Sequence, residues 1–158
     1  MSETEPSPAR VVADADVLAA DVLVGGPARD ALDHLREHSW TALVASETLL
    51  DDAEALVADF ADAELAADWR EKIETWVELV SHPEHDHPAL ASAYRGGAMH
   101  VLTFDERLQS ARAGAALGGR FPVSIRHPQA FATLFAPESL YLEVESGEYL
   151  GPDRDPRT

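Results

Sequence analysis

A chain of 158 residues has room for one hydrophobic core. It carries 29 Asp and Glu against 12 Lys and Arg, a formal net charge of −17, which in dilute salt repels polyanions and other copies of the chain. It has no cysteine, which excludes disulfides and thiolate zinc sites. No apolar run reaches bilayer length, and residues 1–9 lack the basic and apolar parts of a secretory signal. These features predict a cytoplasmic protein with no membrane contact.

Residues 1–9, acidic and proline-containing, read as a disordered segment. Residues 10–18 open with a short buried strand ending near Asp14, and an apolar helix comes next over about 16–24, stopped by Gly25-Gly26. Pro27 suits the first turn of a second helix, with Ala28, Ala31, Leu32 and Leu35 inward. Residues 40–45 form a second strand, and Ser46 caps the helix after it. Residues 47–80 are helical in pattern, with a break near 61–65. Leu56, Val57 and Phe60 make one apolar face, and Trp69, Ile73, Trp76, Val77 and Val80 another, the latter a candidate dimer face.

Residues 84–88 read as a polar loop, and 88–95 as an Ala-rich helix closed by Gly96-Gly97. A third strand covers 100–104. Asp105 then opens a helix that ends at Gly118-Gly119, and 121–125 is a fourth strand. Pro128 starts another helix with Phe131, Leu134 and Phe135 inward. Leu140, Leu142 and Val144 alternate with Tyr141, Glu143 and Glu145, which predicts a late edge strand, and 147–158 reads as a loose tail. Strands separated by helices imply an α/β fold: a three-layer α/β/α sandwich around a mostly parallel sheet. Ligands bind such sheets beyond the carboxyl ends of the strands.

Acids gather at those ends. Asp14 and Asp105 each come after a buried apolar run, and Asp16 lies just past Asp14. Asp51 and Asp52 sit early in the helix after the second strand, and Asp86 precedes the helix that feeds the third. Packed carboxylates repel one another unless a cation neutralises them, and Mg²⁺ or Mn²⁺ prefers such oxygen ligands. A metal held there polarises a phosphodiester and lowers the pKa of an attacking water.

The motifs resemble those of PIN-domain nucleases. Asp14-Ala15-Asp16-Val17-Leu18 looks like the family's first strand end. Ser46 and then Asp52 match its Ser and second acid, with Asp standing where the family usually has Glu. Asp86 precedes an Ala-rich helix, Gly97-Ala98 leads to Thr103-Phe104-Asp105, and Leu108 and Pro128-x-x-Phe131 match the usual ending. The resemblance covers residues 10–136 and leaves 137–158 as a C-terminal extension. It implies a five-stranded parallel sheet and a Mg²⁺- or Mn²⁺-dependent endoribonuclease acting on RNA. Such enzymes are often homodimeric and often the toxin of a toxin–antitoxin pair, with an antitoxin protein as partner. On this resemblance Asp14, Asp52, Asp86 and Asp105 hold the metal and carry catalysis, and no lysine general base is needed. Thr103 orients Asp105, while Asp16, Ser46, Asp51 and Glu106 support. High acid and Ala content with a single lysine, Lys72, also resembles the proteins of halophilic archaea. The alternative is a PIN-like RNA-binding or protein-interaction module without turnover.

Each acid also has a structural reading. Asp105 and Asp86 can cap helices, and Asp51 and Asp52 can complement a helix dipole. His82, His85 and His87, with His100 nearby, fit no standard zinc spacing and read as loop residues. Trp40, Trp69 and Trp76 read as core or interface. Arg95, Arg107, Arg112, Arg120 and Arg126 are the cations on the cleft side, available to phosphates or to surplus acids.

Overall fold

A computed structural model describes residues 5–109 and 123–157. Five strands form one parallel sheet in the order β3-β2-β1-β4-β5. They are β1 (Ser7–Ala13), β2 (Ala42–Ser46), β3 (Glu78–Val80), β4 (Ala98–Leu102) and β5 (Ser124–Arg126). Seven helices are described: α1 (Ala15–Leu23), α2 (Gly26–Arg36), α3 (Glu47–Phe60), α4 (Ala63–Glu74), α5 (Pro88–Gly96), α6 (Pro128–Leu134) and α7 (Pro137–Val144). The architecture is a three-layer α/β/α sandwich, as the alternation of strands and helices predicts. Among the described residues no helix is long and apolar enough to cross a membrane.

The central strand has no wet face. Val11 pairs with Leu43 and His100, and Val12 with Val44 and Val101, and both valines are buried. Leu18, Leu32, Leu35, Leu49 and Leu50 cover the sheet from the helices. α5 packs so closely that a Cβ on Gly96 would stand 2.4 Å from Val44 Cγ1, so only glycine fits there.

Caps decide where the helices begin. Ser46 Oγ accepts from Leu49 N–H (3.1 Å), and Asp62 Oδ1 accepts from Leu65 N–H (2.7 Å) at the break between α3 and α4. His87 and His127 each cap a helix that has proline in its first turn. Gly97, at φ 66°, ends α5 in the left-handed conformation.

Five expectations need correction, four in the elements and one in the terminal segment. Ser7–Ala9 already belong to β1, where a disordered segment is predicted; residues 1–4 lie outside the described set. The helical pattern over 47–80 stops at Glu74, and Glu78–Val80 form an edge strand beside β2; three residues are too few for any periodicity to reveal. Residues 137–144 are a helix, not an edge strand: Pro137 supplies a first turn, and Leu140, Tyr141 and Val144 recur at helical spacing as well as alternating. Phe60 and Leu134, predicted inward, are mostly exposed.

The terminal segment is tied down rather than loose. Asp153 accepts from the Ser39 backbone N–H (2.8 Å) and from its hydroxyl, and the Asp153 and Arg154 amides donate to Glu37 O. Arg154 also donates to Leu35 O and His38 O (both 3.2 Å), carbonyls at the end of α2 that Thr41 Oγ1 bonds as well. Buried His38 bonds Tyr149 Oη (2.8 Å) and donates from its other ring nitrogen to His34 O. The helix expected between Asp105 and Gly119 lies largely outside the described residues, as do the first two residues of the expected 121–125 strand and Arg112 and Arg120.

Candidate metal centre at the carboxyl edge

Register brings the ends of β1 and β4 together. Ala13 pairs with Leu102, and Asp14 N–H extends the ladder to Leu102 O (2.8 Å). The next residues of both strands therefore meet above the sheet. Thr103, fully buried, joins two of the predicted acids. Its hydroxyl donates to Asp14 Oδ2 (2.9 Å) and accepts from the Asp105 N–H (3.1 Å). Asp14 Oδ1 accepts from Ala15 N–H (2.9 Å), so Asp14 both caps α1 and anchors β4.

Asp16 crosses the same junction. Its Oδ2 accepts from Phe104 N–H (3.1 Å), while its Oδ1 is buried with no partner. Burial raises its pKa, and the charges of Asp14 and Asp105 push it further; the bonds from Phe104 and Val17 N–H pull the other way. Asp105 Oδ1 accepts from Arg107 N–H (2.9 Å), and Leu108 N–H donates to Asp105 O, so Asp105 does cap the turn after it. Gln109 adds a bond to Thr103 O (3.1 Å).

The second acid approaches from α3. Asp52 is exposed, and its pKa is raised by partial burial, by Asp51 and by Asp14; His87 lowers it. Asp52 therefore feels Asp14 and His87 without bonding either. Asp51 turns to the other side of α3, where Arg70 holds it (2.7 Å) together with Glu54 and Glu74. Asp86 lies exposed in the loop before α5 and is not among the charges that shift Asp16 or Asp52. Glu106 is exposed as well. The fold thus gathers Asp14, Asp16, Thr103 and Asp105, brings Asp52 within electrostatic reach, and leaves Asp51, Asp86 and Glu106 outside.

Histidines mark this edge more than the sequence suggests. Buried Ser46 Oγ, besides capping α3, meets His82 Nε2 (2.8 Å), and His82 Nδ1 donates to Pro83 O (2.8 Å). His127 comes directly after β5 and packs edge-on against Phe104 with ring centroids 5.0 Å apart. His85 is exposed and His87 is a cap, so the loop histidines do not converge on a zinc site. The sequence carries a signal for His127, which stands just past the expected fourth strand, and none for His82, because β3 is too short to show a period.

Among the described residues, no three His, Asp or Glu side chains stand close enough to enclose a metal ion. The donor chemistry still fits a hard divalent cation. The donors are all carboxylate oxygens, one of them buried without a partner, and Mg²⁺ sites take one or two carboxylates completed by water and substrate phosphate.

The chain belongs to DUF7384, a family of unknown function, whose model matches residues 5–157. The match includes the terminal segment docked on α2. No curated protein and no solved structure matches the chain.

Proposed function

We propose that this DUF7384 member is a PIN-like endoribonuclease that hydrolyses RNA phosphodiesters with Mg²⁺ or Mn²⁺ at the carboxyl edge of its sheet. The observation that carries the reading is Asp16 Oδ1, a buried carboxylate oxygen without a partner beside Asp14 and Asp105. Such an oxygen demands a proton or a cation. Asp14, Asp16 and Asp105 are the residues that would hold the cation, with Asp52 contributing from α3. When bound, it polarises the phosphodiester and lowers the pKa of an attacking water. Thr103 fixes the orientation of Asp14 and of the Asp105 backbone through one hydroxyl, the outer-shell support that ligating carboxylates need. His82 ties the chain after β3 to Ser46, the cap of the helix that carries Asp52.

The exposed position of Asp86 favours a second reading, a PIN-like RNA-binding or interaction module without turnover. Cleavage of structured and single-stranded RNA, in high KCl with Mn²⁺, separates the two. Metal-dependent cleavage abolished by EDTA and by Asp105→Asn supports the nuclease, provided circular dichroism shows the variant folded. No cleavage of any RNA and no calorimetric Mn²⁺ binding would leave the module.

The reading extends to a homodimer restrained by an antitoxin, and sedimentation in high KCl tests the dimer. It also includes a salt-rich cytoplasm, because surplus carboxylates repel until salt screens them. Helical ellipticity is expected to fall as KCl is diluted; a fold stable in dilute buffer would remove that part.

A further inference from the structure

The opposite edge of the sheet holds a cavity that the nuclease reading does not use. Its volume is about 780 Å³, inside the range of roughly 300–1,000 Å³ for small-molecule sites. Its place comes from chain direction. α1 starts at the carboxyl edge and runs away from it, and β2 and β3 begin at the amino edge, just after α2 and α4 end. The cavity is lined from the end of α1, from both ends of α2, from the second half of α4, from the residues before β3, and from the docked terminal segment.

The charge of this lining opposes that of the chain. Five of the twelve Lys and Arg stand here: Arg29, Arg36, Lys72, Arg154 and Arg157. Only two acids line the cavity with them, Asp21 and Asp155. Arg36 is committed to Asp21 and Asp33, and Arg157 to Asp33. The rest are not neutralised in this way. Arg29 directs its guanidinium to a backbone carbonyl, Asp21 O (3.1 and 2.7 Å), and Arg154 to Leu35 O and His38 O. Lys72, the chain's single lysine, forms no ion pair among the described residues. The facing wall is apolar and aromatic: Trp69, Ile73 and Trp76, with the Arg36 guanidinium 5.0 Å from the Trp76 ring centre.

We infer that this cavity binds a nucleoside phosphate, with its phosphate among Arg29, Lys72 and Arg154 and its base against the Trp69–Ile73–Trp76 wall. Arg154 acts on the Asp153 carboxylate through space, but Arg29, Lys72 and Arg154 form no ion pair among the described residues; such groups call for an anion, and phosphate suits a guanidinium fork. In a chain of net charge −17, such a cluster concentrates a field that only an anionic ligand can use. The volume exceeds what inorganic phosphate fills, and an indole wall favours a flat, partly apolar body.

The test uses the full chain in high KCl, with AMP, ATP and inorganic phosphate titrated separately by calorimetry and tryptophan fluorescence. Saturable AMP or ATP binding is expected, with inorganic phosphate about tenfold weaker or more. Lys72→Gln changes an exposed side chain with no ion pair to lose, and is expected to weaken binding about tenfold. Arg95→Gln, in α5, and Asp105→Asn are expected to leave the affinity unchanged. No saturable binding of any probe would overturn the proposal. So would phosphate binding as tightly as AMP, an unaltered affinity in Lys72→Gln, or loss of binding in Asp105→Asn, which would move the ligand to the carboxyl edge.

Discussion

The two edges of this sheet treat buried charge in opposite ways. At the amino edge Asp21, almost fully buried, is answered by the Arg36 guanidinium, which Asp33 and the Trp76 face also contact. At the carboxyl edge Asp14, Asp16 and Asp105 lie together, an exposed Arg107 guanidinium reaches Asp105 at 3.6 Å, and one oxygen of Asp16 is buried with no partner. A buried acid with a guanidinium partner holds structure. A half-buried acid without one, as Asp16 is beside Asp14 and Asp105, has its pKa raised and costs stability until something positive arrives. The contrast separates the scaffold from the candidate centre in a chain with 29 acids, where acidity alone marks nothing.

The sharpest way to break that contrast is to remove the partnered acid. Asp21→Ala leaves the Arg36 guanidinium with Asp33 alone and is expected to cost about 3–5 kcal/mol in denaturant unfolding at high KCl. An Asp21 variant as stable as the parent would mean that the pair does no structural work. Next comes Thr103→Val, which deletes the hydroxyl shared by Asp14 and Asp105 at a fully buried position. A loss of about 1–3 kcal/mol is expected, with any Mn²⁺-dependent cleavage falling along with it. Retained cleavage would show that the two acids need no common anchor.

Asp16→Asn should act in the opposite direction. The Asp16 pKa is raised in the folded chain above 3.8, so the folded state holds the proton more tightly than the unfolded one. The cost of the carboxylate is present at neutral pH, shrinks as pH falls through the raised value, and is gone below 3.8. The Asn variant is therefore expected to melt higher than the parent at pH 7 without metal, and to gain less from Mn²⁺. A lower melting temperature would show that the Asp16 charge is already compensated. The smallest effect belongs to His100. Burial and then Arg126 hold its pKa below 6.5. The unfolded chain takes that proton first, so stability declines as pH falls from 6.5 toward the folded value. His100→Leu should flatten that part of the pH–stability curve; an unchanged slope would reassign it to another group.

Much of this molecule is local enough to be legible in the chain. Apolar runs after Arg10 and before Asp14, and again before Thr103, announce buried parallel strands. Ser46, Pro88, Gly97 and Pro128 punctuate the helices between them. From the strand ends alone, Asp14, Asp16, Thr103 and Asp105 could be placed on one edge. The short and distant features are less visible. β3 is too brief to show a period, and residues 137–144 satisfy both a strand and a helix pattern until Pro137 and packing choose the helix.

Charge partners are the least legible of all. Asp51 and Asp52 are neighbours in sequence, yet one is held by Arg70 from α4 while the other faces Asp14 and His87. Asp153 is held through bonds from Ser39, more than a hundred residues away. Periodicity and capping act within a few residues, so composition and order alone dictate the layers and the edge where the acids gather. Ion pairs and orphaned oxygens depend on which helices meet. Only packing in three dimensions determines that Arg36 serves Asp21, that one oxygen of Asp16 has no partner, and that five of the twelve cations line the cavity at the far edge.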